Sequence, residues 1–396
     1  MTPAGGPSKR VKVAHLVTLL ELGGAQQNTL YTVSTLDAAR FEPLLLCGEG
    51  GILDPQARAL DREGRVRVRF VRDLVREIDP LRDLSALFQI YSLLSEERPA
   101  IVHTHSSKAG VLGRLAARLA GVPIVVHSFH GFGFHDNQSR LVRALWIALE
   151  RLCAAVSTRL IFVSNANREA AERLGVGDRA RYSLIRSGVR LADFPAKIPS
   201  ASGKKDSLGF DGGCPLIVGV GNLKPQKNAG DFVQAAARIL EEVPDARFFY
   251  VGDGALRAGL EGDVLRRGLA GKVVFGGWRK DVGEILAAAD VFMLTSLWEG
   301  LPRALVEAMK TGLPCACYRA DGVADILRDG ENGFLSEPGD WAGLAAKVVG
   351  ALKDPGLRRR LGAAASSSIG PEFDIDHMVR RQEQLYSELL AAAGRR

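Results

Sequence analysis

Glu299 and Glu307 bracket the segment Gly300-Leu301-Pro302-Arg303-Ala304-Leu305-Val306, and no other stretch of the sequence is better equipped for chemistry. Proline favours the first position of a helix, so a helix is expected to begin near Arg303, with Glu299 on the preceding loop and Glu307 on the helix. Such a helix start carries unpaired N–H groups and the positive end of the peptide dipole, a setting suited to a diphosphate. Carboxylates on either side of an anion site can accept hydrogen bonds from sugar and ribose hydroxyls. For Glu307 a solvated helix face is the plain alternative.

A second candidate is Val218-Gly-Val-Gly-Asn222-Leu-Lys224-Pro-Gln-Lys227-Asn228, which leaves a predicted strand and places two ammonium groups at its mouth. Cations there can neutralise a departing diphosphate; a solvated proline turn competes with that reading. Gly23-Gly24 follows the first predicted strand, where glycine lets backbone N–H groups approach a phosphate closely. Its spacing matches neither the dinucleotide fingerprint nor the Walker loop, so a tight turn explains it equally well.

Four histidines, His103, His105, His127 and His130, fall at the ends of two consecutive predicted strands, with His103 and His105 on one face by the two-residue period. No further ligand suggests itself, and structural histidines with no metal site are expected. His130 differs, because it lies beyond the strand end in a Phe-His-Gly-Phe loop and is expected to face a cleft. Asp374-Ile-Asp376 has the look of a metal-binding acid pair, but it sits where a helix-capping Asp is ordinary. The run Arg65-Val-Arg-Val-Arg69, with Arg72 and Arg76, reads as a strand with one charged face, for solvent or for anionic lipid headgroups.

These groups must be carried by a repeated scaffold. Short β-branched runs alternate with amphipathic runs of about 12 to 15 residues, the pattern of βαβ units and parallel sheets. In the first half, strands are predicted at Val11 to Thr18, Pro43 to Cys47, Val66 to Val71, Ile101 to Thr104, Ile124 to His127 and Leu160 to Val163. Leu81, Leu84, Leu87, Tyr91 and Leu94 mark a helix, and another runs from Lys108 to Ala120 and stops at Gly121. A Pro-, Ser-, Gly- and Lys-rich stretch over 196–214 reads as a linker. A second series then predicts strands at Leu216 to Val220, Arg247 to Val251, Lys272 to Phe275, Val291 to Leu294 and Pro314 to Cys317, with a final helix over 371–396. The expected architecture is therefore two α/β domains, 1–195 and 215–370, whose facing strand ends form a ligand cleft.

Composition removes several function classes. The 396 residues, 46% of them hydrophobic, suffice for more than one core, and the net charge of +7 suits an anionic partner without saying which. Aromatics are 7% and do not alternate with basic residues, so nucleic acid is not an expected partner. The five cysteines are scattered and lack zinc or redox spacing, which points to a reduced, cytoplasmic protein. The apolar run Val13 to Leu20 contains His15 and leads into Glu21, fitting a first strand better than an export signal, and no stretch reads as a transmembrane helix.

Taken in order, Gly23-Gly24, the His130-Gly loop, the Gly-x5-Lys loop ending at Lys227 and the Glu299-x7-Glu307 pair resemble the GT4-type family of retaining glycosyltransferases with the GT-B fold, over nearly the whole chain. Val163-Ser-Asn-Ala, Ser187-Gly-Val-Arg, Asp321-Gly-Val-Ala-Asp-Ile and Asn332-Gly-Phe add to the likeness. The resemblance implies two Rossmann-like domains facing each other across a cleft, an acceptor-side first domain, a donor-side second domain and a last helix that crosses back to the first. It further implies that His130 touches the transferred sugar, Lys227 holds the diphosphate, Glu299 the sugar and Glu307 the ribose. Gly23, Gly24, Asn222, Gly300, Leu301, Pro302 and Leu305 would complete the site for a UDP- or GDP-sugar, with no metal or other cofactor. Two departures stand out: Asn222 replaces the usual Arg, a loss that Lys224 could offset, and Asp325 replaces a frequent Glu. The stretch His103-Thr-His-Ser-Ser-Lys-Ala-Gly-Val-Leu-Gly-Arg is similar to the subgroup that extends polyprenyl-diphosphate-linked glycans for surface polysaccharides, on the inner face of the plasma membrane. A sugar-nucleotide epimerase of the same fold and a non-catalytic nucleotide-sugar sensor are the competing functions.

Overall fold

The computed structural model describes residues 10–134, 138–194 and 202–394. Its first compact unit comprises residues up to Ser187 together with Asp376 onward, and its second runs from Gly188 to Ile375.

The first unit is built on seven parallel strands: β1 (Val11–Val17), β2 (Phe41–Cys47), β3 (Arg67–Phe70), β4 (Ile101–His105), β5 (Ile124–Phe129), β6 (Arg159–Phe162) and β7 (Tyr182–Leu184). Their order across the sheet is β3-β2-β1-β4-β5-β6-β7, so the chain reverses its direction of travel between β1 and β4. The strands are apolar on both sides because both sides are covered. Leu16, Leu44 and Leu46 meet Ala86, Ile90 and Ala116 of the helices Pro80–Glu97 and Ser107–Leu119 on one face. Val17, Leu45 and Cys47 meet Leu30, Val33 and Leu60 of the helices Gly24–Thr35 and Asp54–Arg62 on the other. Inside the unit Arg114 donates to Glu150 at 2.6 Å, with both side chains almost sealed from solvent.

The second unit has six parallel strands, β8 (Leu216–Val220), β9 (Arg247–Val251), β10 (Val273–Phe275), β11 (Val291–Leu294), β12 (Cys315–Tyr318) and β13 (Phe334–Ser336), ordered β10-β9-β8-β11-β12-β13. Here the reversal lies between β8 and β11. Phe232, Phe248, Tyr250 and Val348 are among the buried residues that join the helices Ala229–Glu242 and Trp341–Lys353 to the sheet. All five cysteines are buried and unbridged.

The predicted strands lie within one or two residues of those observed, whereas β7 and β13, of three residues each and at the sheet edges, were not read from the sequence. The division between the units precedes the predicted linker. Val189 donates its N–H to Phe373 at 2.8 Å and accepts that of Ile375 at 2.9 Å, which fastens 188–194 to the second unit. Residues 196–201 of the proposed linker lie outside the described residues. Its remainder begins with a helix, Ser202–Ser207, held in place because Lys204 pairs with Asp281 and Glu284, and Lys205 with Asp290. The last helix, Ile375–Ala393, starts later than the predicted 371 because Pro371–Phe373 forms a separate 3-10 turn. It belongs to the first unit from Asp376, which accepts a hydrogen bond from Tyr31, so this acid closes a helix contact.

Candidate active site

In open parallel sheets the strand ends at the reversal point are left uncovered by crossover connections, and ligands bind there. In each unit the residues singled out from the sequence gather at that place.

In the second unit, the chain leaving β8 bends through Gly221 to Lys224, makes a 3-10 turn over Pro225–Lys227 and enters the next helix through Asn228, which takes the left-handed conformation. The chain leaving β11 is stitched to this loop. Thr295 Oγ1 donates to the Asn228 carbonyl at 2.9 Å, Leu297 N to the Gln226 carbonyl at 2.9 Å, and Gln226 Nε2 to the Trp298 carbonyl at 2.8 Å. These cross-links bring the Lys227 ammonium onto the Glu299 carboxylate, both largely buried. The Glu299 N–H reaches Asp321 Oδ2 at 3.3 Å.

Behind Glu299 the helix Arg303–Lys310 begins where expected, although Pro302 is its N-cap and not its first helical residue. No side-chain hydrogen bond caps this end and no acid lies in its first turn, so its N–H groups and positive dipole are left to the loop and to a ligand. Gly300, Leu301 and Pro302 are buried around the turn. Leu305 is fully buried and donates its N–H to the Pro302 carbonyl at 3.0 Å, so it packs beneath the turn. Glu307 lies one turn along, 3.9 Å from Arg303. Burial raises its carboxyl above the usual range, with Arg303 pulling the other way.

Two features here were not read from the sequence. The turn Gly252-Asp253-Gly254 after β9 presses on the Lys loop: Gly221 N donates to the Val251 carbonyl and Leu223 N to the Asp253 carbonyl, each at 2.9 Å. Gly252 has φ +142°, and a Cβ there would lie 1.9 Å from the Gly221 oxygen, so only glycine fits. A Gly-Asp-Gly directly after a strand was the available signal. The second feature is Tyr250, whose buried hydroxyl has no hydrogen-bond partner among the described residues, and whose phenol is pushed far up by burial and by the nearby Glu299.

In the first unit, Gly23 caps the helix Gly24–Thr35 with extended backbone, and a Cβ there would meet only the flexible Gln26 side chain. The ends of β1 and β4 are joined by a 2.8 Å hydrogen bond between the Thr18 and Ser106 hydroxyls. The four histidines lie at the ends of their two strands, as expected, but not on one face. His127 points to the opposite face, bonded to Thr104 Oγ1 at 2.8 Å, because residues 104 and 127 are partners in the β4–β5 register. His15 takes its place: it lies opposite His103 in the β1–β4 register. His15 Nδ1 meets His105 Nε2 at 3.0 Å, and His105 Nδ1 meets His130 Nε2 at 3.1 Å. Tyr386 of the last helix lies 2.6 Å from His103 Nδ1 and 3.3 Å from His15 Nε2. His103 Nε2 meets Ser128 Oγ at 2.8 Å. His15, His103 and His105 offer nitrogens within 4.8 Å of one another, a spacing seen in metal sites, yet each of their ring nitrogens is already hydrogen-bonded. Burial keeps the set neutral, with His15 pushed down to about 3 and His130 to about 4.

The Arg65–Arg69 face is largely committed within the protein. Arg67, Arg69 and Lys12 converge on Glu97, whose side chain is 3% exposed, and Arg76 pairs with Glu21.

Comparison with known proteins agrees with this picture along the whole chain. The family described as "Glycosyl transferases group 1" matches residues 202–368, and that described as "Glycosyl transferase 4-like domain" matches 23–188. A UDP-Gal:alpha-D-GlcNAc-diphosphoundecaprenol alpha-1,3-galactosyltransferase from Escherichia coli is 36% identical over 96% of this chain and 98% of its own. An N-acetyl-alpha-D-glucosaminyl L-malate synthase from Bacillus anthracis is 32% identical over 78% of this chain and 80% of its own. Among solved structures, Anabaena HepE in complex with UDP and glucose superposes with a TM-score of 0.80 at 20% identity, over 96% of this chain and 100% of its own. Sucrose-phosphate synthase from Thermosynechococcus elongatus gives 0.82 at 21% identity, over 97% and 100%. At such identities the structural likeness shows the fold, two Rossmann-like parallel-sheet units of the GT-B kind.

Proposed function

The chain belongs to the group 1 glycosyl transferases and is a glycosyltransferase, and on that premise we propose that it moves a sugar, with retained configuration, from a UDP-sugar to a hydroxyl of a polyprenyl-diphosphate-linked glycan. The donor is galactose and the acceptor sugar N-acetylglucosamine, following the chemistry named for the Escherichia coli relative.

The observation that carries this reading is the Lys227–Glu299 pair at the β8–β11 reversal, directly ahead of an uncapped helix start. That arrangement supplies a cation and oriented N–H groups for a diphosphate, beside carboxylates for hydroxyls. In the reaction the bond from the anomeric carbon to the diphosphate oxygen breaks, and the acceptor oxygen bonds that carbon. The hydroxyl proton passes to the departing diphosphate. Lys227 and the helix start at Arg303 stabilise the leaving charge, where preorganised dipoles act most strongly. Glu299, with Gly300, Leu301 and Pro302 shaping its turn, holds the sugar; Glu307 holds the ribose; Asn222 and Lys224 line the diphosphate; His130 and the Gly23-Gly24 turn act from the first unit. No metal or other cofactor takes part.

The same reading gives the first unit a cytoplasmic bilayer contact. The helix Pro80–Glu97 exposes Leu81, Leu84, Phe88 and Tyr91, and the helix Arg140–Ala155 exposes Leu141 and Leu145, with Arg82 and Arg140 also exposed. Apolar side chains rimmed by cations suit an anionic membrane, where a lipid-linked acceptor resides. No helix among the described residues is long and apolar enough to span one.

The test is incubation with UDP-galactose and N-acetylglucosaminyl-diphosphate on a short polyprenol, with the new linkage assigned by NMR. An α-linked disaccharide supports the proposal, and a β-linkage refutes retention. Conversion of the donor in the absence of acceptor would instead indicate an epimerase, and binding without turnover a sensor.

A further inference from the structure

His130, His105, His15, Tyr386, His103 and Ser128 form a single unbranched chain of hydrogen bonds, with separations of 3.1, 3.0, 3.3, 2.6 and 2.8 Å. Its members come from β1, β4, β5, the loop after β5 and the last helix, and all lie within the first unit. The five members beyond His130 are at most 3% exposed. One end, His130 Nδ1, is buried and has no partner among the described residues.

A neutral imidazole has one N–H and one bare nitrogen, so it donates on one side and accepts on the other. Each hydroxyl in the chain likewise supplies a single hydrogen. The Tyr386 oxygen could accept from both of its neighbours, but its buried hydroxyl hydrogen would then have no acceptor, so the five links joining four neutral rings and two hydroxyls spend every hydrogen only if all donate in the same direction. The sense is set at the far end, where the buried Ser128 hydroxyl has His103 as its side-chain partner and spends its hydrogen only by donating to it. From there His103 Nδ1–H donates to Tyr386, Tyr386 O–H to His15, His15 Nδ1–H to His105, and His105 Nδ1–H to His130 Nε2. The remaining hydrogen sits on His130 Nδ1.

We propose that Ser128, His103, Tyr386, His15 and His105 are positioning residues that lock His130 in the Nδ1-protonated form, so that it presents a fixed hydrogen-bond donor to an oxygen of the transferred sugar. This rests on the role proposed for His130 in sugar contact. It makes the last helix, through Tyr386, a determinant of the chemistry at His130. Desolvation, which holds these histidines neutral, keeps the chain intact at neutral pH.

The experiment uses full-length protein labelled with 15N-histidine, with His130 assigned by the signals that vanish in His130→Gln. In the wild type the ring nitrogens of His130 should report a single tautomer protonated on Nδ1. Ser128→Ala and Tyr386→Phe remove one hydroxyl each, at opposite distances from His130, and neither alters a group that touches it. Both should move the His130 nitrogens towards values averaged over two tautomers, and lower kcat with UDP-galactose at least about twofold, the fraction lost when the wrong tautomer reaches half occupancy. An Nε2-protonated His130 in the wild type, or nitrogen shifts unchanged in both variants, overturns the proposal. If His130→Gln transfers sugar at the wild-type rate, the role in sugar contact falls while the tautomer measurement still decides the chain.

Discussion

Replacing Lys227 by Met tests the donor site where structure and chemistry separate. Methionine keeps most of the stem and deletes the charge. Glu299 is 7% exposed and would be left with a buried carboxylate beside the unpartnered Tyr250 hydroxyl. Removing one member of a buried ion pair costs about 3–5 kcal/mol; the pair here is not fully sealed, its side chains being 17% and 8% exposed, so about 2–4 kcal/mol is expected for the free protein. Converting Glu299 to Gln as well removes the stranded charge and should restore most of that loss. Transfer behaves differently, because Lys227 is assigned to the departing diphosphate. The single variant should lose about 2–3 kcal/mol of transition-state stabilisation, a fall of about 30- to 150-fold in kcat/KM, and the double variant at least as much, because Glu299 is assigned to the sugar. Urea unfolding followed by tryptophan fluorescence, set beside initial rates with UDP-galactose, gives both readings. A double variant as unstable as Lys227→Met would refute the stranded-charge argument, and normal turnover by Lys227→Met would remove Lys227 from catalysis.

Gly252→Ala places a methyl group against the Gly221 oxygen at φ +142°, so it should lower stability by more than about 2 kcal/mol and weaken UDP binding; an unchanged melting temperature contradicts the close approach. Arg114→Met leaves the Glu150 carboxylate buried and should cost about 3–5 kcal/mol in unfolding free energy, most of it returned by Glu150→Leu in the same chain. The buried histidines give stability a distinct pH dependence. Their folded values are depressed, so the unfolded chain binds more protons, and stability present above pH 6.5 is lost as pH falls below it. Between pH 6.5 and 5 the loss should be about 1–2 kcal/mol for each histidine that stays neutral, and a flat profile of urea midpoints across that window contradicts their burial. Leu81→Glu with Phe88→Glu should abolish co-sedimentation with phosphatidylglycerol vesicles at low salt while leaving the fold intact; undiminished binding removes this face from the proposed membrane contact.

Much of the second unit's site could be read from the sequence because it is local. Pro302 and the apolar spacing after it fix where the helix at Arg303 begins, and Lys227 and Glu299 each follow a strand whose β-branched residues declare it. A parallel sheet delivers all strand ends to one side, so strands recognised separately bring those loops together. The order that makes β8 and β11 neighbours needs only right-handed crossovers.

The histidine chain obeys no local rule. The sequence shows His103 and His105 on one face by the two-residue period, but not that His127 points to the other, because parity within a strand says nothing about register between strands. His15 enters through the β1–β4 register, and Tyr386 through a helix at the other end of the chain. Register and helix docking follow from how apolar area is buried across the whole unit, a sum over side chains hundreds of positions apart. The sequence by itself determined the two parallel-sheet halves and the residues at their reversal points. Only the tertiary structure decided which buried polar groups must share hydrogens, since that depends on contacts between elements that no spacing along the chain encodes.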